Sequence, residues 1–218
     1  MDTSESSLAL GVFCGFSTGP SDRYVQAATV LGAGLAARGH RLVYGAGGAG
    51  LMGAVARGAA EGGAPILGVI PEFLRAKEMN DHLPPQQIVL TEDLLERKRV
   101  MIDRADAFVA LPGGYGTLDE VLEVVSMAAL GQDVGPLVLL DVDDDWLPLL
   151  NYVERLERRG FVHDAGILRV ARTPEQALDM VAPASAGALA LAGDPQGKEA
   201  ASRVTRCPGN DWPVTGLF

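Results

Sequence analysis

The chain has 218 residues, 48% of them hydrophobic and 21% charged, which is the composition of one globular domain and excludes wholesale disorder. Its 28 acidic and 18 basic residues give a net charge of −10, which argues against a broad DNA or RNA surface but leaves open a local site for a phosphorylated small molecule. Cys14 and Cys207 make no disulfide framework, His40, His82 and His163 are too scattered for a metal cluster, and no apolar run reaches the roughly 18 residues of a membrane span.

In chain order, residues 1–7 form an acidic, polar N-terminal segment without the basic region of a secretion signal, so the expected location is the cytoplasm. The apolar run from Leu8 to Cys14 predicts a buried strand ending at Gly15. A loop through Phe16 and Ser17 follows, and Ser21 or Asp22 is placed to cap a helix from Tyr24 to Arg38. Arg41–Tyr44 predicts a second strand and a glycine-rich turn, Gly45–Gly50, leads into a helix over Leu51–Glu61. Ala64–Ile70 predicts a third strand. Pro71–Pro85 reads as a loop with a single helical turn, and Gln87–Thr91 as a fourth strand.

Leu94–Ala105 predicts a helix carrying Glu96, Arg97, Lys98 and Arg99; such a charge run is by itself an ordinary solvated face. Ala107–Leu111 is a fifth strand, followed by a glycine-rich loop and a helix over Leu118–Leu130. Pro136–Leu140 and Ile167–Val170 complete the strands, with helices at Trp146–Arg159 and at Pro174–Val181, the last capped by Thr173. Short strands alternating with helices imply βαβ units, so the expected architecture is a single Rossmann-like, doubly wound α/β domain over residues 8–182 with a mostly parallel sheet. Residues 183–218 change to small and polar composition and are expected to form a flexible tail.

Sheets of this kind bind ligands at the carboxyl ends of their strands, where two glycine-rich turns lie. In Pro112-Gly113-Gly114-Tyr115-Gly116-Thr117-Leu118-Asp119-Glu120, the glycines let backbone N–H groups converge and a helix start adds partial positive charge, a combination suited to phosphate. Thr117 adds a hydroxyl, and Glu120 is expected in the helix's first turn, close to whatever the loop holds. The other turn contains Gly45, Gly47 and Gly50 in GxGxxG spacing, but it follows the second strand, and Glu72 is poorly placed to bind a ribose. A second loop converging on the same ligand fits better than a dinucleotide site.

Together these motifs resemble the Lonely Guy (LOG) family of nucleoside 5′-monophosphate phosphoribohydrolases. The family's PGGxGTxxE is matched from Pro112 to Glu120, and its GGGxxGLMG resembles Gly45–Gly53, with Ala46 as a departure. Val12–Gly15, Gly68–Pro71, Glu96–Lys98 and Gly160-Phe161 also match in order, so the resemblance covers about residues 8–181. It implies hydrolysis of an N-glycosidic bond, releasing free base and ribose 5-phosphate, with Arg97 and Glu120 as the catalytic pair. Phosphate and substrate would be bound by Gly113, Gly114, Tyr115, Gly116, Thr117, Gly15, Phe16, Ser17, Gly47, Gly48, Met52, Lys98 and Glu123. It implies a homodimer and calls for no metal and no other cofactor. No pyridoxal-phosphate context surrounds Lys77, Lys98 or Lys198.

Three departures fall near the family's base pocket or interface. Asp93-Leu94-Leu95 stands where Ser-Met-His is usual, Met127 where a tryptophan is common, and Phe16-Ser17 where a serine pair is common. The resemblance implies a cytokinin riboside 5′-monophosphate or AMP as substrate, whereas these departures point away from an isoprenylated adenine and open the alternative of a pyrimidine or modified nucleotide of the CMP type. The alternative class is a nucleotide-binding protein without turnover.

Overall fold

The apolar runs become the strands of one seven-stranded, all-parallel sheet. The computed structural model describes residues 7–80 and 83–182; the expectations for residues 1–6 and 183–218 lie outside them. The strands are β1 (Ala9–Phe13), β2 (Arg41–Tyr44), β3 (Ile66–Pro71), β4 (Gln87–Thr91), β5 (Ala107–Ala110), β6 (Leu137–Leu140) and β7 (Arg169–Ala171), in the order β4-β3-β2-β1-β5-β6-β7. The helices are α1 (Asp22–Ala37), α2 (Gly50–Glu61), α3 (Glu72–Glu78), α4 (Leu94–Asp103), α5 (Tyr115–Ala129), α6 (Leu147–Arg158) and α7 (Pro174–Val181).

Strand order runs outward from β1 to β4 on one side, then crosses back to β5 on the other side of β1. That crossover makes a topological switch point between β1 and β5, where doubly wound sheets open a crevice.

Central strands buried on both faces feed two cores. Leu10, Val12, Leu42 and Val109 pack with Leu31 and Leu35 of α1, Val55 of α2 and Leu178 of α7. Phe13, Val43, Val69 and Phe108 pack with Met101 of α4, Val121 and Val124 of α5, and Trp146. Phe13 and Phe108 stack with ring centroids 5.4 Å apart, and a side chain at Gly11 of β1 would strike the Phe108 ring. Between α1 and α2 the backbones touch: a Cβ on Gly32 would run into the Val55 carbonyl oxygen, and one on Gly58 into that of Thr29.

Several element boundaries differ from expectation. The segment after Pro71 is a two-turn helix, α3, rather than a loop with one turn; none of its residues is buried, so it carries no apolar stripe to announce it. Helix α5 starts at Tyr115 instead of Leu118, and Gly114 is its N-cap residue. Ser21 precedes α1 but its side chain makes no capping bond, whereas Thr173 does accept the Gln176 N–H at 3.2 Å. The last strand is shifted to Arg169–Ala171, because Ala165–Ile167 takes a tight 3-10 turn.

Candidate active site

A cavity of about 240 Å³ opens at the carboxyl ends of the strands, beside the switch point. The end of β1 supplies Val12, Cys14, Gly15 and Phe16, and the β2–α2 turn supplies Gly45 and Met52. Glu78 enters from α3 and Arg97 from α4. Gly114, Gly116, Thr117 and Glu120 complete the wall from the start of α5.

Close backbone approach makes this convergence possible. A Cβ on Gly15 would sit 3.3 Å from the Gly113 Cα, and one on Gly113 would sit 2.9 Å from the Gly15 nitrogen. Gly113 also has the Thr117 hydroxyl against it, so it shapes the turn without lining the cavity. Because α5 begins at Tyr115, Gly116 and Thr117 lie within its first turn. The free N–H groups and partial positive charge of that turn therefore face the cavity. Glu120 lies in the second turn, not the first, about 6 Å further along the axis from Gly116.

The charged run on α4 is not a solvated face. Asp93 caps the helix by accepting the Glu96 N–H at 2.8 Å, and Glu96 accepts the Glu92 N–H at 2.8 Å. Arg97 and Lys98 are buried. Arg97 donates through Nε to the Val69 carbonyl at 3.2 Å and through Nη2 to the Gly45 carbonyl at 2.8 Å. Two strand ends thus fix the guanidinium at the cavity wall. Lys98 is held by Asp119 at 2.9 Å and Glu123 at 3.2 Å, and neither it nor Glu123 lines the cavity. These ion pairs fasten α4 to α5 on either side of Glu120.

Burial dominates the electrostatics. It pushes the Glu120 carboxyl up from 4.5 to about 7, against the downward pull of Arg97, with Asp119 and Glu78 pushing the same way as burial. The charge of Arg97 favours the ionised carboxylate, but desolvation outweighs it. Burial likewise raises the Cys14 thiol, with Glu120 adding to the shift.

Of the residues singled out in the sequence, Gly15, Phe16, Met52, Arg97, Gly114, Gly116, Thr117 and Glu120 line the cavity. Tyr115 points to solvent at 92% exposure, and Ser17 accepts the Gly19 N–H at the surface. Gly47 packs against the Met52 side chain, and Gly48 lies against Asn80 while its N–H binds the Glu78 carbonyl at 2.8 Å. Both glycines therefore support wall residues from behind. The sequence reading missed Val12, Cys14, Gly45 and Glu78. Cys14 adjoins Gly15, Val12 lies within the same strand and Gly45 within the same glycine turn as Gly47; Glu78 had no local signal, because its segment carries neither apolar periodicity nor a glycine turn.

A family model described as "Possible lysine decarboxylase" matches residues 52–181. The cytokinin riboside 5′-monophosphate phosphoribohydrolase LOG3 of Arabidopsis thaliana is 41% identical over 151 residues, covering 69% of this chain and 70% of that protein. LOG7 of the same plant, with the same activity in its name, is 43% identical over 151 residues, covering 69% of each. Among solved structures, the molybdenum cofactor carrier protein of Chlamydomonas reinhardtii matches with a TM-score of 0.61 at 23% identity, over 81% of this chain and 96% of that one. The molybdenum cofactor binding protein of Rippkaea orientalis matches with a TM-score of 0.58 at 21% identity and the same coverage. These two likenesses are of fold.

Proposed function

Because the chain belongs to the family of these LOG phosphoribohydrolases, we propose that it hydrolyses the N-glycosidic bond of a nucleoside 5′-monophosphate to free base and ribose 5-phosphate. The observation that carries this reading is the meeting of a helix N-terminus, a fixed arginine and a half-buried glutamate in one cavity. The first turn of α5, with the Thr117 hydroxyl, binds the phosphate, and Arg97 adds fixed positive charge. Glu120, one helical turn further on, faces the ribose near its anomeric carbon. Cleavage passes through an oxocarbenium-like state, whose positive charge an ionised Glu120 stabilises while it orients the attacking water. Phosphate binding, remote from the reacting bond, holds the sugar in register.

Phe16 stands at the mouth of the cavity with 46% of its surface exposed, a flat face on which the departing base stacks. From the activity in the relatives' names the substrate is a cytokinin riboside monophosphate or AMP, and because a phenyl face stacks on either kind of base, a pyrimidine monophosphate is the second reading. Decarboxylation of lysine through pyridoxal phosphate does not fit. That chemistry needs a lysine amine for the Schiff base, and among the described residues no lysine lines the cavity, Lys98 being engaged by Asp119 and Glu123.

Residues 8–182 form the catalytic unit in this reading, and the protein works as a cytoplasmic homodimer. Supporting dimerisation, α4 and α5 lie side by side and expose Leu94, Leu95 and Leu122, with Leu95 71% exposed. Among the described residues, no helix is long and apolar enough to cross a membrane.

The test is an end-point screen of AMP, GMP, CMP, UMP and isopentenyladenosine monophosphate against their nucleosides, read as free base by chromatography. Base released from a monophosphate and not from its nucleoside is the expected result; Glu120→Gln should abolish release while nucleotide still binds. Equal release from nucleosides, or normal turnover by Glu120→Gln, would overturn the reading.

A further inference from the structure

A second cavity, of about 410 Å³, opens at the opposite end of the sheet, among the amino ends of β2, β3 and β4. Its size lies within the range of small-molecule pockets, about 300–1,000 Å³. Arg41, the first residue of β2, and Arg104, the C-cap residue of α4, line it and are exposed. Neither guanidinium has an ion pair or side-chain hydrogen bond among the described residues, whereas Arg23, Arg38, Arg158 and Arg172 each hold a carboxylate. Among the described residues no carboxylate lines the cavity. In a chain of net −10, two unpaired cations around one cavity make a local positive site. The carbonyl end of α4 is partly negative there, so the arginines must supply the attraction themselves. The rest of the wall is largely apolar, with Pro65, Ile66, Leu67 and Pro85 in it. Gln86 adds a fixed amide: its Oε1 accepts the Tyr44 O–H at 2.9 Å, while its Nε2 is buried without an acceptor among the described residues. A shift of that side chain toward a bound oxygen would satisfy the orphan donor.

We propose that this cavity is a second ligand site, for a phosphate monoester carried on an apolar body, which it binds without reacting. Two guanidinium forks match a phosphate dianion in charge and in hydrogen-bond geometry. The prolines and the Ile66-Leu67 strand start take the apolar body, which a bare inorganic ion would leave unused. Among the described residues the lining holds no carboxylate, thiol, hydroxyl or imidazole, so it offers no general acid, base or nucleophile. The site is therefore one of recognition, and it stands or falls independently of the phosphoribohydrolase reading. The elements that form it also fix Arg97 at their other ends. Gly45, just past β2, and Val69 of β3 accept hydrogen bonds from Arg97, and α4 carries it. Damage to the fold around Arg41 or Arg104 would therefore be felt at Arg97, which supplies an internal control.

The experiment is a titration of the isotope-labelled protein with phenyl phosphate, a phosphate monoester with no N-glycosidic bond to cleave, read by the NMR shifts of backbone amides. The amides of Arg41, Leu67, Gln86 and Arg104 should move saturably, with a Kd at least about tenfold below that for inorganic phosphate. Arg41→Gln and Arg104→Gln should each weaken this binding at least about tenfold. In both variants the amides of Gly45, Val69 and Arg97 should keep their positions in the ligand-free spectrum. Movement at Gly114, Gly116 and Thr117 reports the cavity at Glu120 instead, and its affinity should be the same in the variants as in the unmodified protein. Shifts confined to those three residues, or no saturable shift at all, overturn the proposal. Equal affinity for phenyl phosphate and inorganic phosphate overturns it too, since the apolar wall would then take no part. Unchanged affinity in both glutamine variants removes the arginines from the site and has the same consequence. Should a glutamine variant disturb the Arg97 amide, Arg41→Lys and Arg104→Lys keep the charge and lose the fork; affinity unchanged in both overturns the proposal.

Discussion

Glu120 is where stability and chemistry oppose each other. Its carboxyl titrates near 7 in the folded protein, against an ordinary value of 4.5, chiefly because it is desolvated. A raised carboxyl value means the folded state holds the proton more tightly than the unfolded chain. Stability from this group is therefore fully present below about pH 4.5, drains away as the pH rises toward 7, and is level above that. Glu120→Gln removes the loss, so the variant should be more stable than the unmodified protein at pH 8 by up to about 3 kcal/mol, and equal to it at pH 4. Denaturant unfolding at the two pH values checks this; equal stability at both would mean the carboxyl is not held up. In the proposed reaction the working form of Glu120 is ionised, so the same titration should set the rate. The kcat/KM for a monophosphate should climb through about pH 7 and then level off. Ala46 shows strain of another kind. Its φ is +57°, in the left-handed region, at the position where the LOG pattern has glycine, and its methyl packs against Gly68 of β3. Relief of about 1–2 kcal/mol of backbone strain outweighs about 0.8 kcal/mol of lost methyl burial. Ala46→Gly should therefore raise the melting temperature by a degree or two.

At the scale of elements, helix α4 delivers Arg97 and Lys98, and its start depends on one side chain. Asp93→Ala leaves the Glu96 N–H unsatisfied and should cost about 1 kcal/mol. It should also lower kcat/KM, since fraying loosens the register of Arg97; a melting curve and a rate on the same sample separate the two effects. The α1–α2 contact is less forgiving: Gly58→Ala drives a methyl into the Thr29 carbonyl oxygen and should cost about 1–3 kcal/mol. Most elements were legible because buried parallel strands are short apolar runs and surface helices carry a stripe. Where that signal lapses, reading failed. Helix α3 buries no residue, and α5 starts inside the Gly113-Gly114-Tyr115-Gly116 run, so the sequence suggests a loop with a single helical turn for the one and a start three residues late for the other. The three-residue error matters, because it hides that Gly116 and Thr117 are helix N-terminal groups. The charged run at Glu96–Lys98 misleads in the opposite sense, looking solvated while burying two cations.

For the whole molecule, the cavity is assembled from pieces far apart in sequence. Arg97 binds Val69, 28 residues away, and Gly45, 52 residues away. Glycine turns mark strand ends, and motif resemblance joins Arg97 to Glu120, so the glycine-lined end of the cavity and the meeting of that pair in it were legible. Glu78 reaches the site only through the docking of α3 on the Gly48 turn, a tertiary fact with no sequence period. Charge is another property of the whole chain. At net −10 the protein repels a phosphate dianion at long range, whereas in the proposed reading the first turn of α5 and Arg97 attract it at contact distance. Salt screens the first far more than the second, because the Debye length falls from about 30 Å at 0.01 M to about 8 Å at 0.15 M, whereas groups inside the cavity stay poorly screened. Raising sodium chloride across that range should therefore leave kcat unchanged and lower KM for the monophosphate by about twofold. A protein that captures its substrate on a basic surface shows the reverse, with KM climbing steadily with salt. A climbing KM here would mean that attraction extends well beyond the cavity, and would move the phosphate-binding role from the α5 N-terminus to exposed arginines.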